Sequence, residues 1–161
     1  MKLRHTSAGQ AVTDLILATF QLNGRLLAAG DQLTRDLGLS SARWQVLGAL
    51  AAGPLPVVQV ARNMGLSRQS VQRTVDVLAE EQLVTFAENP YHQRAKLVRL
   101  TERGTEILEE VARRQAAWAK QLAKDLSPDK VSAAVQLLET VRQRLEPSTR
   151  KEQCYGQRRS H

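Results

Sequence analysis

At 161 residues the chain can bury the core of one compact domain and is too short for two large ones. Apolar residues make up 42% of it without any uninterrupted run of membrane-spanning length, and aromatics at 4% leave little for the stacking platforms that grip single nucleic-acid strands. Its 23 basic side chains against 16 acidic ones leave a formal charge of +7, which favours a polyanionic partner without naming one.

Residues 1–10 begin with the basic stretch Lys2-Leu3-Arg4-His5, which has neither the apolar core nor the cleavage pattern of an export signal. A flexible start to a cytoplasmic protein is expected. Residues 11–38 read as a helix in which Val12, Leu15, Ile16, Phe20, Leu22, Leu26 and Leu27 cover a broad apolar surface. Gly24 marks a bend or a close contact in it, and Gly38 its stop. A second helix, 42–52, takes Ser40 or Ser41 as its cap, turns Trp44, Leu47 and Leu50 inward, and closes at Gly53-Pro54. Trp44 suits the core first and a ligand wall second.

Residues 55–100 are the centre of the chain. Leu55-Pro56 opens a short helix, because a first-turn proline has no intrahelical hydrogen bond to lose, and Val57, Val60, Ala61 and Met64 are its inward positions. Gly65 supplies the left-handed residue of a sharp turn, after which Leu66 is expected to drop into the shared core. Ser67 caps the next helix. There Val71, Val75 and Leu78 recur at helical spacing and leave Arg68, Gln69, Ser70, Gln72 and Arg73 largely outside that stripe. Helix, glycine turn and helix at this length make a helix-turn-helix.

A B-form major groove admits one helix and displays a different donor and acceptor pattern for each base pair; Arg forks onto guanine and Gln pairs with adenine. The free amides behind Ser67 favour a phosphate. The polar face therefore points to double-stranded DNA, with an ordinary solvated helix face as the competing reading. Leu83, Val84 and Phe86 follow as a first strand and 96–100 as a second, where Leu97 and Val98 interrupt simple alternation. The connection from Glu88 to Arg94 is polar and turn-rich and projects as a loop. With Arg94 on it, next to Lys96, the loop suits a minor groove or a phosphate strand.

Thr101 caps a long helix, 102–126, carrying Ile107, Leu108, Val111, Trp118, Leu122 and Leu126, and Ser127-Pro128 starts a last one with Val131, Val135, Leu138, Val141 and Leu145. Residues 147–161 form a flexible basic tail holding the lone Cys154, which has no partner for an internal disulfide and is incidental or intermolecular. The histidines at 5, 92 and 161 are scattered, so no metal site is expected. The fold expected is all-α dominated α+β: one domain, 11–146, with a winged helix-turn-helix head at 40–100 between dimerisation helices at 11–38 and 102–146. A two-fold homodimer would set two recognition helices on one face of a palindromic operator. A self-contained monomeric bundle is the alternative.

Taken in order, helix, helix, helix-turn-helix, wing, long helix and helix, the chain resembles the MarR family of bacterial winged-helix transcriptional regulators. The resemblance is carried by Leu83-Val84, Asn89-Pro90, Arg94-Ala95-Lys96 and Leu100-Thr101-Glu102-Arg103-Gly104, joined by Leu39-Ser40-Ser41-Ala42-Arg43-Trp44-Gln45-Val46-Leu47. It covers roughly residues 11–145. It implies a homodimer built from the terminal helices, a recognition helix at 67–83, a wing of His92, Arg94 and Lys96, and sequence-specific duplex binding, most commonly repression. It also implies a small aromatic or phenolic anion in a crevice between dimerisation helices and head, for which Asn23, Arg43, Trp44 and Arg113 are the candidates.

The family's wing has an acid two residues before the arginine, and here His92 stands there, which cannot supply the carboxylate's fixed charge. The cysteine that some redox-responsive relatives carry near the N-terminus is also missing, so peroxide sensing does not transfer. Neither an enzyme nor a cofactor is expected: the chain has no glycine-rich phosphate loop, metal-spaced cluster or nucleophile with its base. The alternative class is a winged-helix module for protein association without an operator.

Overall fold

In the computed structural model, which describes residues 6–90 and 95–145, the first helix starts earlier than its apolar pattern suggests. Thr6 Oγ1 accepts the Gly9 amide at 3.1 Å, satisfying a first-turn N–H, and α1 runs Ser7–Thr34. The flexible start expected for 1–10 therefore gives way at residue 6, where a polar cap invisible to hydrophobic periodicity nucleates the helix. A 3-10 turn, Arg35–Leu37, ends at Gly38 with φ 70°, the left-handed conformation that glycine adopts without strain.

Next comes α2, Ser41–Ala49, with Ser40 at its cap position, yet no serine hydroxyl caps it. The Asp31 carboxylate of α1 does so instead, accepting the Ser41 amide at 2.6 Å, while Ser41 Oγ donates to Leu27 O at 2.7 Å. The backbone bond from Ser41 is the main reason that the Asp31 carboxyl is held below its ordinary value. Two polar contacts thus fasten α2 to α1 where sequence spacing alone proposed a local cap.

Leu55–Pro56 is a strand, β1, and not the first turn of a helix. Pro56 lies before α3, Val57–Met64, at its cap position, and β1 is an edge strand, where a residue without an N–H is tolerated. Gly65, φ 64°, ends α3, and amide bonds from Gly65 to Arg62 O and from Leu66 to Ala61 O close the turn. That left-handed turn leads the chain outward, so Leu66 is 45% exposed instead of filling the core. Ser67 Oγ then accepts the Ser70 amide at 3.1 Å at the head of α4, Arg68–Glu80.

Beyond α4 lie β2, Val84–Ala87, and β3, Leu97–Leu100, and the antiparallel sheet has the order β1-β3-β2. Val84 pairs with Leu100 and Phe86 with Val98, while Leu97 stands between Ala87 and Pro56. The alternation is intact: Val98 and Leu100 turn to the core and Leu97 and Arg99 away from it, with Leu97 half-covered by its cross-strand neighbours. Leu47, Val60, Val71, Val75, Leu78, Val98 and Val111 are fully buried and join α2, α3, α4 and β3 to the long helix α5, Glu102–Leu122.

The start of α5 is clamped to the end of α4. Thr101 Oγ1 accepts the Gly104 amide at 3.0 Å and donates to Gln82 O at 2.7 Å, and the Thr101 amide donates to Leu83 O at 3.1 Å. Gly104 lies so close beneath that a Cβ there would stand 2.0 Å from Leu83 O. The chain divides into two compact units after Trp118. In the second, α5 stops at Leu122 and not at 126, Asp125 takes a left-handed φ of 64°, and α6 runs Pro128–Leu145 with Pro128 at its first position.

Candidate nucleic-acid interface and ligand cavity

The polar face of α4 exists because its apolar face is used up. Val71, Val75 and Leu78 are at most 1% exposed, which turns Arg68, Gln69, Ser70 and Arg73 to solvent and leaves Gln72 half-buried. Gln72 Nε2 donates to Asp76 Oδ1 at 2.7 Å one turn on, so the amide is oriented by its own helix. Arg68 and Gln72 also face a groove of about 750 Å³ whose other walls include Val58, Phe86 and Lys96. The structure therefore brings three of the residues proposed for DNA, two from the helix and one from the wing, to a single concavity.

Charge pairing sorts the arginines. Among the described residues, Arg68, Arg73 and Lys96 form no ion pair, whereas Arg43, Arg113, Arg114 and Arg142 each meet a carboxylate. Among the described residues the head thus carries unpaired cations on the α4 side, as it also does at Arg62 and Arg99. His92 and Arg94 of the wing lie outside the described residues.

A second concavity, about 240 Å³, sits among α1, α2 and the part of α5 before the unit boundary. It is walled by Asn23, Leu26, Leu27, Ala29, Gly30 and Leu33 on one side, Trp44 and Gln45 on another, and Gln115 and Trp118 on the third. Of the four crevice candidates, Asn23 and Trp44 are here and Arg43 and Arg113 are not. Arg43 reaches away to Glu81 at 2.8 Å and to Gly38 O at 3.0 Å. Arg113 stands two residues before Gln115, roughly 200° around the helix, and pairs with Glu110 at 2.7 Å.

Arg114 is likewise committed. It binds Asp36 Oδ2 at 2.9 Å, Glu110 Oε1 at 2.7 Å and Leu33 O at 3.2 Å, tying α5 to the turn after α1. The Asp36 carboxyl is held below its ordinary value chiefly by this guanidinium, and Arg114 is raised above its own by the same contact. Trp44 Nε1 is buried and meets no acceptor among the described residues. Sequence reading missed Gln45, Gln115 and Gly30 as wall residues and took Trp118 for a core stripe. The signals were there as spacing: Asn23, Leu26, Leu27, Gly30 and Leu33 follow one helix face, and Gln115 and Trp118 are three apart. Among the described residues no three His, Cys, Asp or Glu side chains could hold a metal, and no helix is long and apolar enough to cross a membrane.

Comparison with known proteins places this geometry in a group. The sequence profile of the MarR family matches residues 37–95. An uncharacterized protein of Mycobacterium tuberculosis is 32% identical over 122 residues, covering 76% of this chain and 85% of that protein. A MarR family transcriptional regulator of Rhodococcus sp. RHA1 superposes with a TM-score of 0.72 at 23% identity, over 81% of this chain and 93% of that one. BpsR of Bordetella bronchiseptica, whose DNA binding is regulated by 6-hydroxynicotinic acid, does so with a TM-score of 0.68 at 26% identity, over 82% of this chain and 98% of its own.

Proposed function

This chain belongs to the MarR family, and from that premise we propose that it is a homodimeric, sequence-specific regulator of transcription that binds double-stranded DNA and is released by a small aromatic ligand. The observation that carries the proposal is α4, whose apolar side is sealed into the head while Arg68, Gln69, Ser70 and Arg73 stand outside it with Gln72 at the edge. On DNA, Ser67 and Ser70 at the start of α4 approach a phosphate, and the arginines and glutamines read base edges, each good bidentate pair discriminating by about 1–3 kcal/mol. Lys96, with His92 and Arg94, serves the wing and supplies affinity by counterion release.

Dimerisation is supported by apolar helix faces that are exposed among the described residues. On α1, Val12, Ile16, Leu17, Phe20 and Leu22 are exposed, Phe20 to 70%; on α6, Val131, Val135, Leu137 and Leu138 are exposed. Such surfaces are costly in water and mark association. A two-fold dimer puts two copies of α4 about one DNA turn apart, which fits a palindromic operator and, where the site overlaps a promoter, repression. A ligand in the α1, α2 and α5 cavity relieves repression if it favours a head spacing unlike the DNA-bound one, and DNA must then weaken the ligand by the same factor.

Selection from random duplex DNA with the purified protein tests the proposal. Enrichment of two inverted half-sites one turn apart is expected. Enrichment of a single unrepeated site overturns the dimer, and no enrichment at any salt concentration overturns the DNA reading in favour of a module for protein association.

A further inference from the structure

We propose that the cavity among α1, α2 and α5 selects an uncharged, flat, amide-bearing molecule over the carboxylate anion of the same shape; this rests on the ligand-relief part of the function above and names the ligand class. Among the described residues, its wall contains no Lys, Arg, His, Asp or Glu. The polar groups it offers are three neutral amides, Asn23, Gln45 and Gln115, none hydrogen-bonded to another described residue, set among leucines and two indoles, of which Trp44 keeps a buried Nε1–H with no acceptor among the described residues. Each amide presents one acceptor oxygen and two donor hydrogens, so together they complement a group that is itself both donor and acceptor.

The arginines that α2 and α5 carry next to this wall, Arg43, Arg113 and Arg114, are each paired elsewhere. Arg43 is held by Glu81, Arg113 by Glu110, and Arg114 by Asp36 and Glu110, the last with a further bond to Leu33 O. A carboxylate entering this wall would lose water without gaining a counter-charge, a cost that a neutral carboxamide of equal size avoids. Trp44 and Trp118 line the cavity whichever substituent the ring carries, so apolar contact with the ring does not discriminate and the polar substituent does.

These are also the only two tryptophans in the chain, which makes intrinsic fluorescence a direct report on the cavity. The experiment titrates the full-length protein with benzamide and with benzoate at one neutral pH and constant ionic strength. Saturable change with benzamide is expected, at a concentration lower than that for benzoate by on the order of tenfold or more. Equal or tighter binding of benzoate overturns the proposal, as does the absence of a saturable change with either compound up to its solubility.

A second arm uses Gln115→Arg, which places a cation on an exposed wall position and is expected to reverse the ranking. An unchanged ranking there overturns the claim that wall charge sets the preference. Operator binding is measured alongside. If benzamide occupies the cavity and leaves the operator complex intact, the regulatory reading fails while the ligand preference stands; if the duplex is bound normally and the preference is absent, only the present inference falls.

Discussion

Gly104→Ala opposes two effects whose sizes can be compared. Within a helix, alanine is favoured over glycine by about 1 kcal/mol, so helix propensity alone predicts that the variant is more stable. The new Cβ, however, would stand 2.0 Å from Leu83 O, 2.9 Å from Leu83 C and 3.4 Å from Leu83 Cα. An ordinary carbon to oxygen contact is about 3.3 Å or longer, so α5 or the Leu83 backbone must move by roughly 1 Å. That carbonyl is not free to move, since it accepts the Thr101 amide at 3.1 Å while the Leu83 amide donates to Leu78 O at 2.9 Å.

Overpacking of this kind costs about 1–3 kcal/mol and a weakened hydrogen bond adds about 1 kcal/mol. After the propensity gain is subtracted, a net loss of roughly 1–3 kcal/mol remains, or about 2–12 °C in Tm for a chain of this length. Thermal unfolding of parent and variant at matched protein concentration measures it. Gly48→Ala is the control, because a Cβ there meets nothing within 4 Å and should leave stability equal or slightly higher. A Gly104→Ala protein that melts at or above the parent temperature would refute the argument from close approach.

Three further outcomes are expected. Gln69→Ala and Arg73→Ala should each narrow the preference for matched over mismatched operator, by about 1–3 kcal/mol if the side chain makes a bidentate base contact; a uniform loss on all sequences would move that residue to phosphate. Lys96→Ala should lower the slope of log affinity against log salt by about 1, read from binding at several salt concentrations, and an unchanged slope would remove Lys96 from the backbone contacts. Arg114 holds the Asp36 carboxyl below its ordinary value, and such a depressed group contributes stability that is present above its unfolded value and lost as pH falls through the folded one. Stability should therefore decline on the acid side as pH falls below the ordinary carboxylate range, and Asp36→Asn should make that limb shallower in urea titrations; identical limbs would show that the pair does not couple to folding.

What could be read from the chain depended on the range of the interaction that decides each feature. The α3 and α4 pair was legible because Gly65, Ser67 and the Val71, Val75 and Leu78 stripe act within a few residues of one another, and each has the role in the fold that local chemistry assigns it. Two of the failures are long-range. Leu55-Pro56 looks like a helix start until β3 is present to pair with it, and the cap of α2 comes from Asp31, ten residues back on another helix. The cavity was half visible for the same reason. Asn23 and Trp44 line the concavity among α1, α2 and α5, but the fate of Arg43 and Arg113 turned on carboxylates whose positions follow from helix rotation and from packing of α2 near the end of α4.

The two-residue strand β1 has a mechanical consequence. By pairing with β3 immediately before α3 begins, it couples the root of the wing to the shoulder of the helix-turn-helix, so the hairpin is an outrigger bolted to the hull, without a hinge of its own at that joint. If α4 reads DNA as proposed, a displacement that lifts it with α3 out of a groove takes the base of the arm along. Departure from the duplex would then proceed in a single cooperative stroke, with few long-lived states in which one of the two has let go.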